Sequence, residues 1–367
     1  MMRTWIMFLV KSFIIFDLDL PVSDCSFVGY TLQYRDLSIA ETSGASVSDP
    51  KDILRWLYWY PFRFIIQALP IRVVYLIGNI EGTILYHFSK KRYKSLKSAL
   101  SSVIKKEDLA TKNERGIIRD ALKLFCQNEL EMFLYAKLNT SLIKNMVVCE
   151  GLSYINESLK QGKGVMLLFA HFGANQMIMP AIGYRGYKMY QMSAPPTVWV
   201  EKLHNKKFSS MGKRALDIRW EQELSLPVTH INIFGSLKEA FVCLKRNEIL
   251  GIAIDGGGGK SRVAVDFLGG NALFSTGAIE IAMRTGCVVL PVFMIKGRDG
   301  RHRMIIEPPL EIIKERREGA VEKNITAFVK KLEEYVLTYP SHYLNFLALR
   351  KFMEDIDGIP FIIKNGG

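Results

Sequence analysis

A chain of 367 residues has room for one large domain or two small ones, and an apolar share of 49 % beside 23 % charged residues excludes a disordered chain. The formal net charge of +13 points to anionic partners: nucleic acid, lipid headgroups or an acidic carrier protein. With no zinc-finger pattern, RNP-type aromatic motif or leucine zipper, nucleic acid is the weakest of these and is not expected as a partner.

Residues Trp5 to Phe16 are apolar but interrupted by Lys11 and followed by Asp17 and Asp19. No small-residue cleavage site follows, so this is not read as a cleaved signal peptide. It is also short for a spanning helix, which needs roughly 20 apolar residues. A Ser-, Gly- and Pro-containing linker at 40–50 separates an N-terminal segment, 1–52, whose role the sequence leaves open. From Ile53 to Phe88 runs an aromatic-rich apolar stretch with Trp56, Tyr58, Trp59, Tyr60 and Phe62, broken by Pro61, Arg63, Pro70, Arg72 and Glu81. That mixture fits a helix lying in a membrane interface or a short anchor; a buried amphipathic helix pair is the alternative. Seven cations follow with no acid before Glu107: Lys90, Lys91, Arg92, Lys94, Lys97, Lys105 and Lys106. Their position makes 53–106 a membrane-associating helical segment facing an anionic surface. The five cysteines (Cys25, Cys126, Cys149, Cys243, Cys287) are scattered without a CxxC pair, which argues for reduced thiols and a cytosol-facing body.

Residues 107–350 read as an α/β domain. Helical periodicity covers 113–138 through Ile117, Ile118, Ala121, Leu122, Phe125, Leu130, Phe133 and Leu134. Strands are predicted at Gly164–Ala170, Ile249–Ile254, Val288–Ile295 and Met304–Ile306. Helical patterns lie at 175–183, 199–216, 236–246, 277–285 and Ala320–Tyr339, and residues 351–367 are read as a tail. Alternation of strand and helix predicts a mostly parallel central sheet flanked by helices.

Three segments carry chemistry. In the first, the buried strand ending at Ala170 delivers His171 at its carboxyl end, where open α/β sheets place their sites. Gly173 permits a tight turn, and Gln176, five residues on, comes round to face the imidazole; an isolated histidine after a strand is otherwise ordinarily structural. In the second, a strand ends in Asp255 and four glycines, Gly256 to Gly259, then Lys260 and Ser261. The first glycine of a P-loop would fall at Ile254, and the residues after Ser261 look extended, so nucleotide binding is rejected. In the third, a Gly-rich turn through Gly269 and Gly270 leads towards Gly277 and a helix from Ala278, with Ser275 or Thr276 as N-cap.

In this order and spacing the segments resemble the lipid A biosynthesis acyltransferases of the lysophospholipid acyltransferase superfamily, to which the phosphatidylinositol mannoside acyltransferases are similar. Gly162-Lys163-Gly164 through His171-Phe172-Gly173-Ala174-Asn175-Gln176 looks like the family's Gly-x-Gly, strand, His-x-Gly-Asn-x-Glu block. Asn205 and Arg214 match its Asn and later Arg, Asp255 its strand-ending Asp, and Phe267 to Gly277 its Phe-Phe-Gly stretch; the likeness spans Pro70 to Leu310. Two departures stand out. The family's acid is Gln176 here, and an arginine usual after the next strand is missing from Gln191-Met192-Ser193-Ala194-Pro195. The resemblance implies an O-acyltransferase at the cytoplasmic face of the inner membrane. Acyl carrier protein or acyl-CoA would be the donor, a lipid or glycolipid the acceptor, and no cofactor would be needed.

On that reading His171 is the general base, with Gln176 or Asp255 orienting it; Glu201, Glu221 and Asp266 are other carboxylates for that part. Phe172, Gly173, Asn175, Asn205, Arg214, Gly269 and Gly277 contact substrate, and backbone N–H groups after Gly173 stabilise the oxyanion. Lys202, Lys206, Lys207, Lys213, Arg214 and Arg219 dock an acidic carrier or headgroup, and Met177, Ile178 and Met179 wall the acyl groove. His204, His230 and His302 lack metal-ligand spacing, so no metal is expected. Because Gln176 brings no charge, a lipid-binding or scaffold protein without turnover is the alternative. A hydrolase is a weaker one, since the chain has no GxSxG elbow.

Overall fold

The computed structural model describes residues 52–103, 113–198, 209–256, 261–297, 299–315, 317–357 and 360–363. The Trp5–Phe16 run, the 40–50 linker, Lys105, Lys106, Asn205 and Gly257 to Lys260 lie outside them.

The prolines of the aromatic stretch fall at real breaks. Helix α1 (Asp52–Leu57) passes through a π-helical turn (Tyr58–Phe62) containing Pro61 into α2 (Arg63–Ala68). Leu69 is extended because Pro70 crowds it, and α3 (Ile71–Phe88) then starts afresh. Helix α4 (Lys90–Val103) carries five of the seven cations, and α5 (Glu114–Phe133) begins at Asn113, whose Oδ1 accepts the Gly116 N–H at 3.0 Å. Among the described residues, no helix is long and apolar enough to cross a membrane. The helical stretch does not stand apart from the body: α3 lies flat on α5. Gly78 and Gly82 make that approach possible, since a Cβ on Gly82 would sit 2.4 Å from the Lys123 Cα.

Beyond α5 the chain continues through α6 (Thr140–Met146), β1 (Val147–Glu150), α7 (Leu152–Lys160), β2 (Val165–Phe169), α8 (Ile178–Gly183) and β3 (Met189–Ser193). Then come α9 (Ser210–Leu224), β4 (Thr229–Asn232), α10 (Lys238–Lys245), β5 (Ile249–Ala253), β6 (Arg262–Phe267), β7 (Gly270–Ser275) and α11 (Gly277–Thr285). The last elements are β8 (Val288–Lys296), β9 (His302–Ile306), α12 (Ala320–Thr338), α13 (Ser341–Asp357) and β10 (Ile362–Ile363).

Among the described residues the main sheet has seven strands in the order β1-β9-β8-β2-β5-β3-β4. Only the β8–β9 pairing is antiparallel. The two apolar runs read as central strands, β2 and β5, pair side by side, and every residue of β2 is buried. Strands β1, β3 and β4, absent from the sequence reading, extend the sheet on both sides; they are short and half-buried and carry little period-2 signal.

Two expectations need correction. The Gly-rich turn does not lead straight to a helix. Leu268 (φ 53°) and Gly269 (φ 75°) turn a β6–β7 hairpin, and α11 follows only after β7, with Thr276 at its cap position making no side-chain cap bond. Nor do the described residues beyond Arg350 form a separate tail. Helix α13 runs across that boundary to Asp357, Phe361 is buried, and Ile362–Ile363 pair with β7.

Replacing Gly82 with Ala places a methyl group against the α5 backbone. Urea unfolding of the variant is expected to lose about 1–3 kcal/mol relative to wild type; unchanged stability would show that the two helices separate without cost.

Candidate active site

Strand register alone brings the two chemical residues together. Phe169 on β2 pairs with Ala253 on β5, and His171 and Asp255 each follow two residues later at the carboxyl rim. The Asp255 carboxylate is fully buried and accepts three hydrogen bonds. His171 Nδ1–H donates to Oδ1 at 2.7 Å, while the His171 backbone N–H and the Tyr343 hydroxyl donate to Oδ2 at 2.8 and 2.9 Å. Burial first, and the Asp255 charge second, push the Tyr343 phenol well above its ordinary value, so it stays a donor. With Nδ1 committed to Asp255, the ring is the tautomer that presents the Nε2 lone pair. Phe346 stacks on the imidazole, parallel to within 1° at 4.8 Å between centroids.

The turn after His171 is held just as firmly. Gly173 has φ 63°, and a Cβ there would lie 1.9 Å from the Met294 carbonyl oxygen. Its N–H donates to the His342 carbonyl at 2.8 Å and its carbonyl accepts from Asn128 Nδ2 at 3.1 Å. That N–H is therefore not an oxyanion donor, and the segment after it is a 3₁₀ turn, Asn175–Met177, before α8.

His171 opens into a cavity of about 740 Å³ over the carboxyl ends of β2, β5 and β3. One part of its wall is apolar: Met179, Met192, Ile233, Phe234, Leu237 and Ile281. Another is polar: Asn175, Gln176, Gln191, Ser193 and Glu223. Gln176 Oε1 is 3.5 Å from the Tyr135 hydroxyl, a weak contact at best. Gln191 is almost wholly buried, and its Oε1 has no partner among the described residues. Burial pushes the Glu223 carboxyl up to about 7, against the opposing charge of Arg219.

Several predicted contacts fall elsewhere. Gly277 and Met179 line the cavity, but Phe172 turns inward and stacks on His342 at 5.4 Å, so it contacts the core and not the cavity. Gly269 sits at the hairpin tip in open space, and Met177 and Ile178 are ordinary core. Arg214 lies outside the cavity wall, paired with Glu221 at 2.7 Å. Arg219 is buried and pairs with Glu129 at 3.3 Å, so it cannot dock a carrier. Among the described residues no group of three or more His, Cys, Asp and Glu side chains is placed to hold a metal. Tyr343 and Phe346 were invisible to the sequence reading; the only signal was an amphipathic pattern in a stretch without a recognised motif.

A histidine held by a buried carboxylate on the wall of a partly apolar cavity is equipment that suits acyl transfer. The bacterial lipid A biosynthesis acyltransferase family matches residues 43–352, and the chain belongs to it. Among solved structures it is similar to the 1-acyl-sn-glycerophosphate (LPA) acyltransferase PlsC from Thermotoga maritima. Identity is 16 % and the TM-score 0.31, with 71 % of this chain and 97 % of that chain covered. No curated protein matches the sequence.

Asp255→Asn keeps the shape but turns an amide N–H towards Nδ1, forcing the other tautomer. Its turnover is expected to fall by roughly 10³- to 10⁴-fold with the melting temperature little changed, and Tyr343→Phe by a smaller factor. A turnover within tenfold of wild type for Asp255→Asn would remove Asp255 from the site.

Proposed function

We propose that this acyltransferase moves a fatty acyl group from a thioester donor, on acyl carrier protein or coenzyme A, to a hydroxyl of a lipid or glycolipid. The observation that carries this reading is His171, held by buried Asp255, on the wall of a cavity with an apolar side. The acyl chain lies along Met179, Met192, Phe234 and Ile281, which leaves its carbonyl at the polar rim. His171 Nε2 takes the proton of the acceptor hydroxyl as its oxygen attacks the thioester carbonyl. Asp255 offsets the charge the ring acquires and holds it against rotation, the part that Gln176 cannot play without a charge. The imidazolium then returns the proton to the departing thiolate. Side-chain amides of Asn175 and Gln176, on the same wall, serve the developing oxyanion.

We place the enzyme at the cytoplasmic face of an anionic membrane. Ile53 and Trp56 on α1, Phe64 and Ile65 on α2, and Leu76 and Ile80 on α3 are each about half exposed or more. Val73, Leu76 and Ile80 follow helical spacing on the side of α3 away from α5, and the cationic α4 comes next in the chain. That pairing of apolar side chains with cations supports interfacial docking.

Mass spectrometry of lipids from cells with and without the gene tests the reaction. A lipid species heavier by one acyl group is expected only with the gene, and absent when the gene encodes His171→Ala. No difference between the strains, or full product with His171→Ala, would overturn the assignment. For docking, the purified protein is expected to float with vesicles containing anionic phospholipid and to do so less when Trp56 and Phe64 are both Ser. Equal flotation of that variant would reject this surface.

A further inference from the structure

We infer that Ser193, on the cavity wall, and its partner His230 form a second reactive centre, in which the Ser193 hydroxyl takes the acyl group of a bound thioester or ester and then releases it to water. The two residues come from adjacent parallel strands whose register pairs Gln191 with His230 and Ser193 with Asn232, so both side chains share one face. His230 Nδ1 is 2.9 Å from Ser193 Oγ, and its Nε2 is 3.3 Å from the Glu223 carbonyl oxygen. A carbonyl can only accept, which assigns the ring proton to Nε2 and leaves the Nδ1 lone pair facing the hydroxyl. The other acceptor near Ser193 Oγ, the Gln191 carbonyl, is farther at 3.4 Å. Trp220 packs against the imidazole at 4.9 Å and fixes its plane. Burial lowers the His230 pKa and keeps the ring neutral, the form a base requires. A nucleophile, a base and a group that orients the base are thus assembled, with a main-chain carbonyl in the orienting position. Ser193 borders the same cavity as His171.

The chemistry balances without any other reagent than water. Ser193 Oγ bonds to the acyl carbon as the C–S or C–O bond breaks, and the serine proton passes through His230 Nδ1 to the leaving thiolate or alkoxide. Water then attacks the serine ester, gives its proton to Nδ1, and the carboxylic acid departs as Oγ recovers a proton. The net reaction is hydrolysis of the thioester or ester. The inference rests on the cavity being an acyl site, but not on His171 being the base for transfer.

An alkyl fluorophosphonate, which reacts with activated serines, tests it on the purified full-length protein. The expected result is one adduct, mapped by tandem mass spectrometry to Ser193, with none on Ser193→Ala. His230→Ala is expected to label at least about 100-fold more slowly. His171→Ala should still be labelled at Ser193 while making no acylated lipid, which separates this centre from the transfer reaction. A wild-type protein that stays unlabelled, an adduct at another residue, or undiminished labelling of His230→Ala would overturn the inference. The mapping on wild type decides the matter even if a variant does not fold.

Discussion

The hydrogen bond between Asp255 and the His171 ring is the constraint around which the rest of the structure is arranged. A buried carboxylate is costly unless its lone pairs are filled. Here the His171 main chain, its ring and the Tyr343 hydroxyl fill them. The same bonds fix the imidazole in one tautomer and one orientation, so the stability of the charge and the direction of the base are one arrangement. Glutamine at position 176 then has a plain physical meaning. With a carboxylate already bound to Nδ1, a second one near the ring is dispensable for orienting it, and the amide remains on the cavity wall.

Two helices from opposite ends of the domain clamp the loop that carries His171. Helix α5 reaches it through Asn128, and α13 through the His342 carbonyl, Tyr343 and the Phe346 ring. The two are tied to each other, since Asn345 on α13 donates to the Ala121 carbonyl on α5 at 2.9 Å. Beneath the loop, α5 also carries Glu131, which pairs with buried His302, while the Lys296 main chain donates to His342 Nε2 at 2.9 Å. These polar contacts restrict the base more than apolar packing would, because each has a directional optimum. The close seat of α3 on α5 through Gly78 and Gly82 extends this rigid body to the helices proposed to meet the membrane.

The cavity joins two chemically different walls. The apolar wall suits an acyl chain, whereas Gln191, Ser193 and Glu223 offer an amide, a hydroxyl and a carboxyl pushed towards neutrality by burial. The family's arginine is missing from the strand β3 rim, and Ser193 occupies that region with His230 beside it. Of the two imidazoles, His171 lines the cavity itself, and His230 reaches it only through the Ser193 hydroxyl.

Local sequence patterns specify the central strands, the position of His171 and Asp255 at their carboxyl ends, the α/β class and the family. These are carried by local signals: continuous apolar runs, a glycine that only a tight turn needs, and ordered spacing. Such patterns could not decide that β2 and β5 are neighbours, because pairing in a parallel sheet depends on crossovers that leave no mark on the strands themselves. Hence Gln176, near in sequence, competed with Asp255, 84 positions away, for the role of orienting the ring. The tertiary structure also decided which arginines face solvent, burying Arg219 against Glu129 while Arg214 stayed outside. It brought Ser193 to His230 and Tyr343 to Asp255, residues whose types are common and whose spacing has no period. Chemistry that joins side chains from separate strands and helices is fixed only when the sheet register and helix packing are fixed, since a hydrogen bond tolerates a few tenths of an ångström and sequence spacing specifies no such distance.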